Sequence, residues 1–314
     1  MVLIISSKRD HSTSEVIRWL RHFKKPFLRL NEEDKVILES LTYNNFTFQF
    51  EGKTYSLNDF DSVWYRRGNF NLDIFPVDVD EESSIIDMYG KTESEEVQNF
   101  IHNLLNKKRS INNRNHHHVN KLDVLSYCES NGLINFPFLV TQSKQEIVSF
   151  VQDNGHPIIS KALRIPFIYY TSENTFASYS HRINDEEIMS LPERFTPTFF
   201  QKYIPKKYEI RTFFFDSSFF SMVIFSQKNA QTKIDFRKYD HKKPNRKAPF
   251  KLPRWYEEKV LGLMEHFKLD CASFDTIICK EGSYNLIDVN PIGQFGMVSY
   301  PCNYSLEKKI ANYL

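Results

Sequence analysis

The stretch "YNLIDVNPIGQF", residues 284–295, begins as a β-strand and then carries polar groups where a buried strand should have none. Asp288 and Asn290 are two residues apart, so their side chains point to the same face of the strand. Residues 272–283, "ASFDTIICKEGS", form a second apolar run that ends in a glycine-containing turn. Together the two runs predict a β-hairpin with a carboxylate on its second strand.

The length of the turn decides which residues meet across this hairpin. A loop of two or four residues sets Asp275 directly opposite Asp288. The same register gives two further cross-strand pairs, Cys279 with Tyr284 and Ile277 with Leu286. A loop of three residues would shift every pair by one position, and the sequence does not fix which loop forms.

Two carboxylates that face each other at about 5 Å repel by roughly 3 kcal/mol at an effective dielectric constant near 20. Three arrangements would relieve this repulsion: protonation of one carboxylate, an intervening Lys or Arg, or a cation with Asn290 as a third oxygen ligand. Such hard oxygen donors suit Mg²⁺ better than a transition metal. Alternatively, both aspartates lie at solvated strand ends.

Length and composition exclude some classes of protein. The 314 residues are enough for two or three lobes with cores, and a net charge of +2 gives no argument for a nucleic-acid partner. The four cysteines have no CxxC spacing, which fits a reducing compartment. The N-terminus has only a short apolar run, so we expect neither a signal peptide nor a membrane span, and a cytoplasmic protein.

Polar residues recur in a definite order before the hairpin. Lys121 opens a helix, and Lys161 lies in the short strand of "HPIISKAL". The segment Gln201–Ile204 is a short linker between two apolar strands, and on the second strand Glu209 and Arg211 share a face. Taken singly, a strand-end lysine or a salt-bridged Glu–Arg pair would explain each of these residues.

The ordered set resembles the ATP-grasp superfamily from about Asn120 to the end of the chain, and its most specific part is the Asp275, Asp288 and Asn290 triplet followed by "PIGQF". The resemblance implies an α/β (α+β) fold with ATP held between a central and a C-terminal sheet. It also implies three lobes, at residues 1–118, 119–200 and 201–314.

A longer set of motifs is similar to the graspetide synthetases, the microviridin-type and grasp-with-spasm peptide maturases. These motifs are "VWYRRGN", "NRNHHHVNKLDVL", "FSQKNAQTKIDFRKY" and "NPIGQF". The resemblance implies ATP and Mg²⁺ as cofactors. The implied nucleotide-binding residues are Lys121, Lys161, Gln201, Lys202, Ile204, Glu209 and Asn290. The implied metal ligands are Asp275, Asp288 and Asn290, and the implied catalytic residues are Arg211 and Lys161.

One departure from the superfamily limits the types of ATP-grasp ligase that the chain can resemble. Many ATP-grasp ligases for small molecules cover the phosphates with a glycine-rich loop after the strand lysine, whereas "KALRIPFIYYTSENTF" contains no glycine. This disfavours an enzyme similar to D-alanine ligase or glutathione synthetase. Other groups must then cover the phosphates.

The resemblance implies an ADP-forming ligase that phosphorylates Asp or Glu side chains of a ribosomal precursor peptide. Ser or Thr hydroxyls would then close the activated side chains into esters, or Lys amines would close them into amides. The alternative is a ligase that adds free amino acids to a protein or a small acid. A second alternative is a nucleotide-binding module without ligase activity.

Such enzymes dock the leader of the precursor on the central lobe, here the hairpin "IPFIYYTSENTFASY" and the helix "INDEEIMS". The implied leader contacts are the acids Asp185, Glu186 and Glu187 and the aromatics Phe167, Tyr169 and Phe176. The candidates for binding the substrate carboxylate are Arg66, Arg67, Arg164 and Arg237. A solvated helix face and core aromatics would explain the same residues.

Two further partners to consider are a nucleic acid and a second copy of the chain. The basic stretch "KYDHKKPNRKAPFKLPR", residues 238–254, has nearby aromatic residues and could bind nucleic acid, but such a run is more often a solvated loop. Dimers are common among the enzymes that the chain resembles, so a homodimer remains open. We expect no membrane partner.

Overall fold

The computed structural model describes residues 1–73, 84–164, 168–171, 173–177, 180–227, 229, 232, 234–236 and 240–314. The chain divides into two compact units. Unit 1 comprises Met1–His118, Lys268–Cys271 and Pro291–Leu314, and unit 2 comprises Val119–Phe267 and Ala272–Asn290. Among the described residues, no helix is long and apolar enough to cross a membrane.

Unit 1 contains a four-stranded parallel sheet and a small antiparallel sheet. Its elements from the N-terminus are β1 (Val2–Ser6), α1 (His11–His22), β2 (Phe27–Asn31), β3 (Ile37–Leu41), β4 (Phe46–Phe50), β5 (Lys53–Ser56), β6 (Ser62–Tyr65), α2 (Ser84–Leu105) and β7 (Arg109–Ile111). The parallel sheet has the order β2-β1-β6-β7, and the antiparallel sheet has the order β3-β4-β5. The two central strands, β1 and β6, are buried along their whole length, as expected for inner strands of a parallel sheet.

Unit 2 is built on two larger antiparallel sheets. Its elements are α3 (Lys121–Ser130), β8 (Phe138–Ser143), α4 (Lys144–Asn154), β9 (Ile158–Ser160), β10 (Ile168–Tyr170), β11 (Thr175–Ala177), β12 (His181–Ile183), α5 (Asp185–Ser190), β13 (Arg194–Lys202), β14 (Lys206–Phe215), β15 (Ser218–Phe225), β16 (Arg246–Phe250), α6 (Arg254–His266), β17 (Cys271–Cys279) and β18 (Tyr284–Asn290). One sheet has the order β12-β9-β13-β8 and the other the order β16-β15-β14-β17-β18, while β10 and β11 form a separate hairpin.

Both units have apolar cores of their own. In unit 1, aromatic side chains of the antiparallel sheet pack with the end of α2, and the chain closes with α7 (Gly296–Cys302) and α8 (Leu306–Tyr313). In unit 2, Ile147 and Phe150 of α4 and Ile188 of α5 pack against Ile158 and Phe200 of the first sheet. The four cysteines are free and buried.

The two sheets of unit 2 are joined by a very short segment, since β13 ends at Lys202 and β14 begins at Lys206. The segment is held from the first sheet, because the N–H of Lys202 donates to the carbonyl of Pro137 (3.1 Å) and that of Tyr203 to the carbonyl of Pro157 (2.9 Å). The division of the chain into three lobes with boundaries after residues 118 and 200 stays a prediction.

Candidate functional site

Both sheets of unit 2 contribute side chains to one cleft that is partly open to solvent. The polar lining residues include six that the sequence singles out for nucleotide or metal binding: Lys121, Lys161, Gln201, Glu209, Asp275 and Asp288. Isoleucines line the remaining wall, among them Ile159 and Ile277. The cleft therefore combines an apolar wall with a few converging charged groups, as small-molecule sites usually do.

The hairpin at the base of the cleft pairs Asp275 with Asp288, which confirms the predicted contact. The length of the turn that gives this pairing differs from the prediction. The turn has three residues, because Cys279 and Ser283 close it with a 3.0 Å hydrogen bond and Gly282 takes a positive φ of 94°. The two other predicted pairs, Cys279 with Tyr284 and Ile277 with Leu286, are wrong: Ile278 faces Tyr284 and Ile277 faces Asn285.

A β-bulge restores the alignment of the two aspartates. The register shifts between Asp275 and Thr276, so that Ile287 becomes an extra residue on β18. Without the bulge, Asp275 would face Ile287, and Asp288 would point to the opposite face of the sheet. The carbonyl of the bulged Ile287 accepts a hydrogen bond from the Lys161 Nζ at 3.3 Å.

Each aspartate has its own cation, which is the second of the three ways to relieve their repulsion. The Lys121 Nζ lies 3.0 Å from the Asp288 Oδ1, and the Arg211 Nη1 lies 2.8 Å from the Asp275 Oδ2. Desolvation alone would raise the pKa of Asp288. The positive charges of Lys121, Lys161 and Arg211 outweigh it and hold the pKa below its ordinary value, so the carboxylate stays charged.

The ion pairs leave oxygen atoms available for a metal ion. The Asp275 Oδ1 is buried and has no hydrogen-bond partner among the described residues. Asn290 lies opposite Ser273, on the same face as Asp288 and at the exposed end of the hairpin. No group of three or more His, Cys, Asp or Glu side chains in the described part of the chain could hold a metal. Two carboxylates and an amide still fit Mg²⁺, which usually keeps several waters and binds through one or two carboxylates.

The two lysines reach the cleft from different elements. Lys121 is the first residue of α3, whose N-cap Asn120 accepts a hydrogen bond from the Leu122 N–H. Lys161 directly follows β9, and its Nζ lies 5.4 Å from the centre of the Phe199 ring. The two ammonium groups therefore meet beside Asp288, as a pair of phosphate ligands would need to.

The end of β13, which the sequence analysis assigned to the linker, contributes one buried side chain to the cleft. Gln201 is buried, and its Oε1 has no hydrogen-bond partner in the described part of the structure. The side chain of Lys202 is exposed and that of Ile204 is buried, and neither is among the residues described as lining the cleft. The prediction for these two residues concerns their backbone groups and stays a prediction.

Glu209 lies in the cleft with a partner that the sequence analysis missed. Its Oε1 forms an ion pair with the Lys206 Nζ, whereas its buried Oε2 has no hydrogen-bond partner among the described residues. Lys206 also donates to the carbonyl of Ile234 at 3.0 Å. Burial lowers the pKa of Lys206 to about 8, although the nearby charges of Asp235 and Asp275 raise it.

Four further residues line the cleft that the sequence analysis did not single out: Ser180, Ile234, Asp235 and Phe236. Asp235 is buried, and its Oδ2 accepts from the Ser180 N–H at 3.3 Å. Ile234, Asp235 and Phe236 lie within the quoted motif "FSQKNAQTKIDFRKY", but the sequence analysis assigned them no role, since the motif has no regular periodicity. The pairing of Lys206 with Glu209 gave no signal either, since residues three apart in a regular strand point to opposite faces.

The acidic residues predicted to contact a leader lie at the start of α5. The Asp185 Oδ1 is 2.6 Å from the His156 Nε2, and the Glu187 Oε1 is 2.6 Å from the His181 Nε2. Glu187 also forms a capping box with Asn184, while Glu186 is exposed. Of the three aromatics, Tyr169 is 54% exposed, and the side chains of Phe167 and Phe176 lie outside the described residues.

The four candidate arginines fall in different surroundings. Arg164 is exposed and lines the cleft. Arg66 is only 1% exposed; within unit 1 its Nε lies 3.3 Å from the Asp10 Oδ2, and its guanidinium stacks on Phe295. Arg67, about half exposed, lies 3.6 Å from the same carboxylate oxygen. Arg237 lies outside the described residues.

No protein-family model and no curated protein matches the chain. Several solved structures match it over nearly its whole length. The macrocyclase MdnC from Microcystis aeruginosa MRC, bound with precursor peptide MdnA, is 24% identical with a TM-score of 0.79, covering 100% of this chain and 99% of that one. A RiPP-associated ATP-grasp ligase from Chryseobacterium gregarium, in complex with ADP and a leader and core peptide, is 22% identical with a TM-score of 0.81, covering 99% and 94%.

A third solved structure extends this comparison to a more distant sequence. The ATP-grasp ligase PsnB, complexed with a phosphomimetic variant of its minimal precursor, Mg and ADP, is 12% identical with a TM-score of 0.71, covering 99% of this chain and 96% of that one. The likeness includes the parallel sheet of unit 1 as well as the two sheets of unit 2, because the matches cover both. The predicted α/β architecture is confirmed, and the chain has the fold of the ATP-grasp ligases.

Proposed function

We propose that the protein is an ATP- and Mg²⁺-dependent macrocyclase that acts on a ribosomal precursor peptide. The observation that carries the proposal is the convergence of Lys121 and Lys161 on the paired Asp275 and Asp288 within one cleft, with Arg211 paired to Asp275. Phosphoryl transfer depends on positioning and on neutralising charge, and it needs no covalent nucleophile from the protein. The macrocyclase MdnC and the ligase from Chryseobacterium gregarium, whose fold this chain shares, were each solved with a peptide substrate.

The nucleotide would use the buried acceptors that lack partners among the described residues. Gln201 Oε1 would accept from the adenine amino group, and Glu209 Oε2 would accept from a ribose hydroxyl. Lys121 and Lys161 would bind the phosphate oxygens in place of the missing glycine-rich loop. Asp275, Asp288 and Asn290 would hold Mg²⁺, which supplies charge neutralisation at the phosphates.

The reaction would proceed in two substitutions. In the first, an oxygen of a substrate carboxylate bonds to the γ-phosphorus as the bond to the β-phosphate oxygen breaks, which gives an acyl phosphate and ADP. In the second, a Ser or Thr hydroxyl, or a Lys amine, bonds to the acyl carbon as phosphate leaves, and the nucleophile loses one proton. The peptide therefore loses one water for each ring closed.

Arg211 is our choice for stabilising the oxyanion that forms at the acyl carbon. Its Nη1 is engaged with Asp275, while its buried Nε has no hydrogen-bond partner among the described residues. A fixed guanidinium with one free donor can bind developing negative charge without reorganising. Arg164 is better placed than Arg66 to bind the substrate carboxylate, because it lines the cleft and is exposed.

We propose that the leader of the precursor docks on the β10–β11 hairpin and on α5. Glu186 and Tyr169 are both exposed there. Asp185 and Glu187 are each held by a histidine, so a basic residue of the leader would have to join or displace these contacts. This placement keeps the acidic core of the peptide free for the cleft.

The test is a mass spectrum of short Ser/Thr- and Asp/Glu-rich peptides encoded beside the gene, each incubated with the protein, ATP and Mg²⁺. We expect stepwise losses of 18 Da, the mass of water, matched by ADP formation, and no loss with the Asp288→Asn protein. ATP turnover with gain of an amino-acid residue's mass on an acceptor would instead establish the amino-acid ligase. Absence of turnover with every acceptor would leave a nucleotide-binding module.

A further inference from the structure

Lys206 is the most deeply buried cation of the cleft region, with a side chain only 2% exposed. A lysine is rarely buried this far unless its charge is paired. Lys206 has two partners: the carboxylate of Glu209 three residues along β14, and the backbone carbonyl of Ile234. The proposed chemistry gives it no part, since the phosphates would be bound by other lysines.

The ion pair leaves the two carboxylate oxygens of Glu209 in different states. Oε1 is taken by Lys206, and Oε2 is left buried without a partner among the described residues. A buried carboxylate without a nearby cation would tend to take up a proton, and a protonated oxygen is a poor acceptor. Lys206 thus occupies one oxygen of Glu209 and leaves the other as the candidate acceptor for a ligand.

The second contact ties this strand to the loop that follows β15. The Ile234 carbonyl accepts from Lys206, and the adjoining Asp235 accepts from the Ser180 N–H. Ile234, Asp235 and Ser180 all line the cleft. One ammonium group therefore sets the position of Glu209 and of one segment of the surrounding wall.

We propose that Lys206 is a positioning residue for the sugar of the nucleotide: by holding Glu209 Oε1 it aims Oε2 at a ribose hydroxyl, and so it determines the preference for ribonucleotides over deoxyribonucleotides. The inference rests on the proposed use of ATP but not on the peptide substrate. A hydrogen bond to a charged acceptor gives a preference of about 10- to 100-fold for ADP over the analogue that lacks the hydroxyl.

The test is calorimetric titration with three probes in the presence of Mg²⁺: ADP, 2′-deoxy-ADP and 3′-deoxy-ADP. Wild type should prefer ADP over at least one analogue by about tenfold or more. Lys206→Met keeps an unbranched apolar stem in the buried position and should reduce this preference to less than about threefold. Glu209→Gln should do the same, because both variants act on one hydrogen bond.

A double variant keeps the test decisive if Lys206→Met does not fold. Lys206→Met with Glu209→Gln leaves no unpaired buried charge and should fold. If Lys206 acts through Glu209, adding Lys206→Met to Glu209→Gln changes the preference by less than about twofold. A larger further loss, or a Lys206→Met protein with the wild-type preference, overturns the inference.

The same titration separates failure of this inference from failure of the proposed function. Wild type that binds ADP with no preference between the three probes overturns the role of Lys206 alone. Wild type that binds none of the three probes overturns the ATP-dependent function and this inference with it. Weaker ADP binding with an unchanged preference assigns Lys206 a structural role only, which also overturns the inference.

Discussion

The two aspartates at the base of the cleft should respond differently to the same change. Asp275 is 12% exposed and paired with Arg211, whereas Asp288 is 37% exposed and paired with Lys121, whose side chain is about as buried as that of Arg211. Removing one partner of a buried ion pair costs about 3–5 kcal/mol, because the other charge is left buried and alone. Removing one partner of a more exposed pair costs about 1 kcal/mol or less.

These energies convert into melting temperatures. Unit 2 spans about 170 residues, and for a domain of this size 1 kcal/mol corresponds to roughly 2–4 °C in Tm. We therefore expect Asp275→Asn to lower the Tm of unit 2 by roughly 6–20 °C and Asp288→Asn by no more than about 4 °C. Both variants should lose the effect of Mg²⁺ on ADP binding, because each removes a proposed ligand.

The assay pairs scanning calorimetry with titration of ADP in the presence of Mg²⁺ or of a chelator. In wild type Mg²⁺ should tighten ADP binding by at least about tenfold, and in the stable Asp288→Asn protein this gain should disappear. Equal losses of Tm in the two variants would refute the argument from burial. An Asp288→Asn protein that keeps the full gain from Mg²⁺ would refute the metal assignment.

Three further predictions concern separate parts of the chain. Arg211→Lys keeps the positive charge but loses the planar guanidinium, so kcat should fall about 100-fold with the affinity for ADP nearly unchanged. A wild-type kcat would exclude Arg211 as the oxyanion donor. Burial lowers the pKa of His102 from 6.5 to about 3, so below pH 6.5 the unfolded chain binds a proton that the folded chain does not. His102 should therefore make the free energy of unfolding about 2 kcal/mol lower at pH 5 than at pH 8. Urea unfolding of His102→Gln should lack this dependence of stability on pH. Gly68→Ala should lower the free energy of unfolding by about 2–4 kcal/mol, because φ is +75° and the new Cβ would lie 2.7 Å from that of Glu32. Gly155→Ala, whose new Cβ would lie in open space, should lower the free energy of unfolding by only about 1–2 kcal/mol in the same urea titration.

The sequence predicts the hairpin of the cleft well because its signals are local. Alternating apolar and polar residues set the strands, and the two aspartates stand out as carboxylates on a buried face. The predicted meeting of Asp275 and Asp288 is confirmed, yet it rests on two errors that cancel. The turn is one residue off the assumed length, and the bulge at Ile287 compensates for it. Turn type and bulges depend on backbone conformations that several residue types can adopt.

Sequence analysis could not find contacts that depart from strand alternation or that join segments far apart in the chain. Lys206 and Glu209 form an ion pair at the start of β14, although simple alternation would place them on opposite faces of the strand. Asp235 reaches the cleft from an irregular loop. Arg66 was expected to bind a carboxylate, and it is paired with one, but that carboxylate belongs to Asp10 of the chain itself. Residue type indicates the chemistry that a side chain can perform, whereas only tertiary structure selects its partner.

The bulge matters in evolution for Lys161 more than for the two aspartates. Deleting Ile287 alone would leave Thr276 opposite Leu286 and Asp275 opposite Asp288 in a regular ladder. The deletion would, however, remove the carbonyl that accepts a hydrogen bond from the Lys161 Nζ. A lineage could therefore lose the bulge in one step with the two carboxylates still aligned, but only if Lys161 gained another acceptor.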